Sequence, residues 1–163
     1  MTTVTSGSIT PADEANLERA VVLAWEARDR GDHPFGALLV TADGAVLEAL
    51  NSVVTGADPT GHAETNLVRL AGKLERAVLA GSTLYTSTEP CAMCSGAIYW
   101  SGIGRVVFAL SEQELARMVA EEEGIPPLSL PAFEVFARGG RPIRLDGPVP
   151  LPSAVAVHQG FWT

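Results

Sequence analysis

The sequence predicts an α/β protein built as three layers, with helices on both sides of a central mixed sheet. An amphipathic helix comes first, a β-hairpin follows it, and strands and helices then alternate along the chain. A length of 163 residues, 47% of them hydrophobic, is typical of a single globular domain that buries its core without disulfides. We therefore expect one domain over residues 1–163, in which residues 147–163 form a C-terminal tail.

The first helix and the hairpin have the clearest local signals. Thr10 is a suitable N-cap, Pro11 occupies the first helical position and Asp13 the third, and Gly31 ends the helix. Apolar residues follow at helical spacing, at Leu17, Ala20, Val21, Ala24 and Trp25. Strands are predicted at 36–41 and 45–50, joined by a turn at Asp43-Gly44.

The remaining elements follow from turn residues and apolar runs. A polar loop is predicted at 51–61, helices at 62–71, at 91–100 and from Ser111 to near Glu123, and strands at 83–87 and 105–109. A short helix at 132–138 and a strand at 142–145 precede the Pro-rich tail. The alternation of these segments supports the layered arrangement.

Charge and hydropathy narrow the classes of partner. The formal net charge is −8, and the 11 Lys and Arg residues form no basic tract, so nucleic acid is a disfavoured partner and a small neutral molecule fits better. No apolar run is long enough for a membrane span, and the first ten residues lack the pattern of a secretory signal. We expect a cytoplasmic protein with no membrane partner.

His62, Cys91 and Cys94 form the pattern that carries chemistry. Two cysteines three residues apart share a helical face and favour a metal site or a redox pair over a structural disulfide. One imidazole and two thiolates occupy three positions of a Zn²⁺ ion and leave the fourth for water, as in catalytic sites. A closed structural site would need a fourth ligand, from His33 or His158. Glu64 is placed to exchange protons with the activated water.

His62-Ala63-Glu64 and Pro90-Cys91-Ala92-Met93-Cys94 together match the signature of zinc-dependent deaminases. Further strings agree, at 34–37, 51–55, 58–64, 84–91 and 96–100. On these residues the chain resembles the cytidine deaminase superfamily, in particular the branch of guanine, cytosine and tRNA adenosine deaminases. The resemblance covers roughly 34–110. It implies a central five-stranded mixed sheet, a Zn²⁺ cofactor and hydrolytic release of ammonia.

The resemblance also implies roles for substrate-contacting residues. Asn51 is expected to hydrogen-bond the substrate ring, Phe35 to pack against it, the Ala63 amide to meet its edge, and the peptide at Glu89-Pro90 to accept from the leaving amine. Phe35 as a core residue and Asn51 as a cap of the hairpin exit remain alternatives. Trp100 fits pocket lining and core packing equally. His33 is expected in a turn, and His158 at the surface or at an interface.

The resemblance leaves the substrate open. Gly-Ala-Ile-Tyr-Trp after the cysteines and the terminal aromatics Phe161 and Trp162 favour a free base or nucleoside, with a guanine-type purine ahead of a cytosine-type ring. The tail is expected to act as a lid over the site or to exchange between the subunits of a homodimer. A tRNA adenosine deaminase and an inactive deaminase-like binding subunit are alternatives, although the intact Glu64 argues against the second. Glu112, Glu114 and 121–123 are the candidates for a second proton-shuttling acid.

Overall fold

The computed structural model describes residues 4–119 and 126–162. Six strands form one sheet: β1 (Val4–Thr5), β2 (Gly36–Val40), β3 (Val46–Leu50), β4 (Thr83–Thr88), β5 (Arg105–Leu110) and β6 (Ile143–Asp146). Seven helices surround it: α1 (Pro11–Arg30), α2 (Ala63–Ala71), α3 (Arg76–Ala80), α4 (Ala92–Ser101), α5 (Glu112–Met118), α6 (Ala132–Ala137) and α7 (Pro152–Ala156). Among the described residues, no helix has the length and apolar character that crossing a membrane requires.

The sheet is mixed, as predicted, and its strand order is β1-β6-β5-β4-β2-β3. β2 runs antiparallel to both β3 and β4, whereas β4, β5, β6 and β1 run parallel to one another. The sequence predicted five strands, and the sixth is β1, in which Val4 pairs with Ile143. A two-residue strand has no alternating pattern, so its position depends only on the neighbouring strand.

Alternate residues of the central strands divide the core into two halves. On β5, Val106 and Phe108 pack with α2, α4 and α6, whereas Val107 and Ala109 pack with α1 and α7. On β2, Leu38 packs on the side of α1 and α7, whereas Ala37 and Leu39 pack on the opposite side. This alternation follows from the period of two in a strand. The prediction of three layers is therefore confirmed.

Two helices were absent from the prediction, and one extends differently. α3 and α7 are each five residues long, too short for a helical apolar pattern to be recognised. The helix predicted from Ser111 is α5, which ends at Met118. The rest of its predicted length, at 120–123, lies outside the described residues.

Asp13 connects the first helix to the sheet. Its carboxylate completes a capping box with Thr10, accepts from the Tyr85 hydroxyl at 2.7 Å and pairs with the Arg105 guanidinium at 2.8 Å. Arg105 also pairs with Asp146 at 2.8 Å, so one cation joins α1, β5 and β6. Burial raises the pKa of the Asp13 carboxyl, but the hydrogen bonds from Arg105, Thr10 and Tyr85 outweigh it and hold this pKa well below its usual value.

We predict that Arg105→Met lowers the free energy of unfolding by about 3 kcal/mol, because it leaves the buried Asp13 carboxylate without its cation and leaves Asp146 with Arg144 alone. The matched control is Arg19→Met, whose pairs with Glu26 and Glu48 are exposed. That change should cost less than about 1 kcal/mol. Urea unfolding followed by circular dichroism measures both, and equal losses would contradict the importance of the Arg105 network.

Candidate active site

Two helix N-termini meet at the carboxyl end of β4. His62 immediately precedes α2, Cys91 immediately precedes α4, and Cys94 lies in the first turn of α4. The Nδ1 atom of His62 lies 3.6 Å from the Cys91 sulfur and 3.5 Å from the Cys94 sulfur. The three ligand atoms all lie within 4.8 Å of one another. The structure thus brings together the three residues that the sequence predicted as metal ligands.

The spacing of these atoms fits a shared zinc ion. A sulfur and a nitrogen bound tetrahedrally to Zn²⁺, at about 2.3 Å and about 2.0 Å, are separated by about 3.5 Å. The two observed separations of 3.6 and 3.5 Å agree with this value. Cys94 also lies 3.2 Å from the Thr65 hydroxyl, an outer contact that no sequence motif indicated. Such outer hydrogen bonds orient metal ligands.

The two thiols influence each other strongly. A hydrogen bond from Cys94, helped by His62 and opposed by burial, lowers the pKa of Cys91 to about 4. The same hydrogen bond, together with burial, raises the pKa of Cys94. A negative charge on one sulfur therefore disfavours ionisation of the other. A divalent cation supplies the positive charge that allows both sulfurs to ionise.

Glu64 lies beside the ligand cluster in the first turn of α2 and is only 4% exposed. Its Oε1 accepts a hydrogen bond of 2.6 Å from the Thr86 hydroxyl on β4, which fixes the carboxylate in place. Burial raises the pKa of Glu64, and the Thr86 hydrogen bond only partly opposes this effect. A carboxylate whose pKa is raised toward neutrality is suited to accept and return a proton.

A small cavity of about 60 Å³ joins these groups. It is lined by Phe35, His62, Glu64, Thr88, Glu89, Cys91 and Leu115. The predicted general base, two of the predicted ligands and the predicted stacking residue therefore border one space. Cys94 is fully buried behind it.

The Glu89 side chain has a structural role that the sequence did not indicate. Its two carboxylate oxygens accept from the backbone amides of Glu112 and Ala132, each at 3.0 Å. These amides belong to the first residues of α5 and α6, so one side chain holds two helix N-termini against the site. A carboxylate is well placed at helix N-termini, because their free amides and the helix dipole both favour negative charge.

Asn51 and Ala63 lie on the elements that flank the cavity. Asn51 follows β3 and is 1% exposed, and its Oδ1 accepts from the Val53 amide at 3.0 Å. This bond leaves the Nδ2 group, for which the described residues show no partner, as the donor that remains for a ligand. Asp32 holds the following loop by accepting from the amides of Val54 and Thr55. Ala63 begins α2 and is fully buried.

Trp100 lies on the exposed side of α4. Its side chain is 81% exposed and contacts Tyr99 edge to face. It follows Cys94 by six residues, and 100° per residue places it about 120° around the helix from that sulfur. Core packing is therefore wrong for this chain, and lining of the substrate pocket stays a prediction.

The C-terminal tail folds back over Phe35. Trp162 donates from its indole nitrogen to Nδ1 of His158 at 3.1 Å, and the imidazole lies 5.3 Å from the Phe35 ring centre. Phe161 packs edge to face against Trp162 and beneath Arg28. His158 is only 2% exposed, so the expectation of a surface residue is wrong. Exchange of this tail between subunits, the homodimer and the cytoplasmic location stay predictions.

Among the acids considered as a second proton shuttle, Glu112 is the one that is partly buried near the candidate site. It is half-buried at the start of α5, whereas Glu114 is exposed and 121–123 lie outside the described residues. Burial, followed by the nearby charges of Cys91, Glu89 and Glu64, raises the pKa of Glu112 to about 7. Its Oε2 is buried and has no hydrogen-bond partner among the described residues.

Comparisons with known proteins agree with this site. The family described as the cytidine and deoxycytidylate deaminase zinc-binding region matches residues 10–110. A probable cytosine deaminase of Schizosaccharomyces pombe is 40% identical over 159 residues, which is 98% of each chain. The guanine deaminase of Bacillus subtilis is 44% identical over 105 residues, 63% of this chain and 67% of its own length. tRNA-specific adenosine deaminases also match part of the chain.

Solved structures show the same fold. A guanine deaminase from Nitrosomonas europaea superposes with a TM-score of 0.70 at 25% identity, covering 99% of this chain and 87% of its own. The matched family region contains α1, the hairpin, His62, Glu64 and both cysteines. With 101 of 163 residues matched by the family and a relative of 40% identity along nearly the whole length, the chain belongs to the cytidine and deoxycytidylate deaminase zinc-binding family.

Proposed function

We propose that this protein is a zinc-dependent hydrolase that removes the exocyclic amine of a free nucleobase, with a cytosine-type ring as its substrate. The observation that carries the proposal is the placement of the buried Glu64 carboxylate in the same small cavity as His62 and Cys91. A general base beside an open metal site is the arrangement that hydrolytic deamination requires.

The residues divide the reaction between them. His62, Cys91 and Cys94 would hold Zn²⁺, which acts as a Lewis acid and makes water nucleophilic near neutral pH. Glu64, held by Thr86, would carry two protons in turn: the first from the attacking water to the ring nitrogen, and the second from the newly added hydroxyl group to the amine, which leaves as ammonia while the carbonyl forms. Phe35 supplies an aromatic surface for the flat ring.

The tail supports a free base over a nucleoside or a polynucleotide. Arg28 of α1 donates to the carbonyls of Val157 at 2.7 Å and Gln159 at 2.8 Å, and so holds the tail over Phe35. A ring covered in this way leaves no open side for a sugar and phosphate chain. The net charge of −8 adds to this argument, because tRNA binding depends on Lys and Arg releasing counterions.

Sequence similarity favours a single ring over a purine. Identity with the probable cytosine deaminase is 40% over 98% of this chain and therefore includes the tail, whereas similarity to the Bacillus guanine deaminase covers 63%. The sequence favoured guanine, which remains the second candidate because of its 44% identity with the Bacillus enzyme.

A panel of substrates tests this proposal. The zinc-loaded protein should release ammonia from cytosine faster than from guanine, adenine, cytidine or guanosine, measured with a coupled ammonia assay. Faster turnover of guanine would show that the substrate assignment is wrong but that the proposed reaction is right. Deamination of an unmodified tRNA together with a salt-sensitive gel shift would favour the tRNA alternative, and zinc binding with no turnover on any substrate would favour the inactive binding subunit.

We predict that Glu64→Gln keeps the fold and the metal but lowers kcat by about a hundredfold to ten-thousandfold, because the amide cannot accept the proton. Glu114→Gln is the matched control, since Glu114 is an exposed carboxylate on α5. It should leave kcat unchanged. Circular dichroism and zinc content check that the two variants are otherwise alike, and near-normal turnover by Glu64→Gln would contradict its role.

We predict that Cys91→Ser reduces bound zinc from about one ion per chain to a small fraction, since a serine hydroxyl is a weak ligand for this ion. It should also lower the melting temperature, because the ligands join two helices. Met93→Ala is the control, because Met93 lies between the cysteines with a side chain that is 38% exposed. Elemental analysis of the dialysed proteins gives the result, and full zinc occupancy in Cys91→Ser would rule out this ligand.

A further inference from the structure

We propose that His158 is a substrate-binding residue whose Nε2–H donates a hydrogen bond to the carbonyl oxygen of the base. This inference rests on the proposed function, and it means that a side chain of the tail binds the substrate directly. It follows from the hydrogen bonding, charge and position of a side chain that the sequence placed at the surface.

The protonation state of His158 is set by its neighbours. The indole N–H of Trp162 can only donate, and it points at Nδ1 of His158 from 3.1 Å. Nδ1 must therefore be the bare nitrogen of a neutral ring, and Nε2 must carry the hydrogen. Burial and the nearby Arg28 charge lower the pKa of His158 to about 4, which agrees with a ring that stays neutral.

The Nε2–H group lacks an acceptor. The atom is buried, and no partner for it exists among the described residues. A buried donor without an acceptor is rare and destabilising, so such groups call for a ligand or an ordered water. Nε2 faces away from the Trp162 indole, because the two ring nitrogens of an imidazole point in different directions.

The position of His158 places this donor beside the candidate site. Its ring packs on Phe35, which lines the cavity of Glu64 and Cys91, and it also lines a second cavity of about 260 Å³ with Met118 and Trp162. Leu115 borders the first cavity and Met118 the second. Residues three apart on a helix share a face, so the two cavities lie next to each other along α5.

Two hydrogen bonds orient the segment that carries this donor. The guanidinium of Arg28 binds the carbonyls of Val157 and Gln159, the residues on either side of His158. A neutral N–H donor selects a strong neutral acceptor, and on an aminated nucleobase the strongest is the exocyclic carbonyl. The candidate metal ligands thus line the first cavity, and the His158 donor lies on the other side of the Phe35 ring, at the second cavity.

A double-mutant cycle between protein and substrate tests this assignment. His158→Phe keeps an aromatic ring but removes the donor, and 4-aminopyrimidine is cytosine without its carbonyl. We expect His158→Phe to lower kcat/KM by about tenfold to a hundredfold on cytosine and by less than about threefold on 4-aminopyrimidine. His158→Gln, which keeps a donor, should recover part of the loss on cytosine. Guanine and 2-aminopurine form the corresponding pair if the purine is preferred.

Gln113→Ala is the control, because Gln113 is exposed on α5 and lines neither of the two cavities. It should behave as the wild type on all four bases. A purely structural role for His158 would reduce activity equally on both members of a pair, and that result overturns the inference. If the wild-type holoenzyme deaminates none of the bases, it is the proposed function that fails.

A second measurement does not depend on the variants folding. In ¹⁵N-labelled wild-type protein, the Nε2–H proton of His158 should move downfield when the product base is added, as expected for a new hydrogen bond. A tautomer with the proton on Nδ1, or an Nε2–H signal that product leaves unchanged, would contradict the assignment.

Discussion

The meeting of two helix N-termini beside β4 is the constraint on which the rest of the structure depends. One imidazole and two sulfurs must share a single small volume, and loops alone would hold them loosely. Here His62 and Cys91 are the residues at which α2 and α4 begin, so the positions of the ligands follow from helix packing on the sheet. Glu64 belongs to the same first turn as His62, and the base therefore keeps a fixed relation to the metal ligands.

The metal half of the site was predictable because its information is local. The residues of Cys-x-x-Cys lie within one helical turn of each other, and so do those of His-x-Glu. The fold that brings the two motifs together was already indicated by the alternation of strands and helices. The sixth strand was missed because Val4 and Thr5 are defined only by their pairing with β6. Core packing of Trp100 was a wrong alternative, and helical geometry counted from Cys94 agrees with the exposed position that the side chain has.

The terminal aromatics predicted a tail over the site, but the contacts that hold it could not be predicted because they span nearly the whole chain. Arg28 lies in the last turn of α1, where a basic residue is expected from the helix dipole alone. Its partners at Val157 and Gln159 are backbone carbonyls 129 and 131 residues away, and backbone acceptors leave no mark on a sequence. His158 lies in a short turn after α7 and belongs to no periodic apolar pattern, so the sequence could not predict its burial. That burial comes from its contacts with Trp162 and Phe35.

The ligand cluster and the tail differ in how many contacts hold them in place. The ligand cluster and Glu64 sit on helices packed against the core, whereas the tail is held over Phe35 by one arginine and a few aromatic contacts. A cavity of about 60 Å³ lies well below the range of about 300–1,000 Å³ that small-molecule pockets occupy, and a second cavity of about 260 Å³ lies beside His158. The groups proposed for the chemistry therefore lie on helices that pack on the core, whereas the donor proposed to choose the ring lies on a segment that few contacts hold.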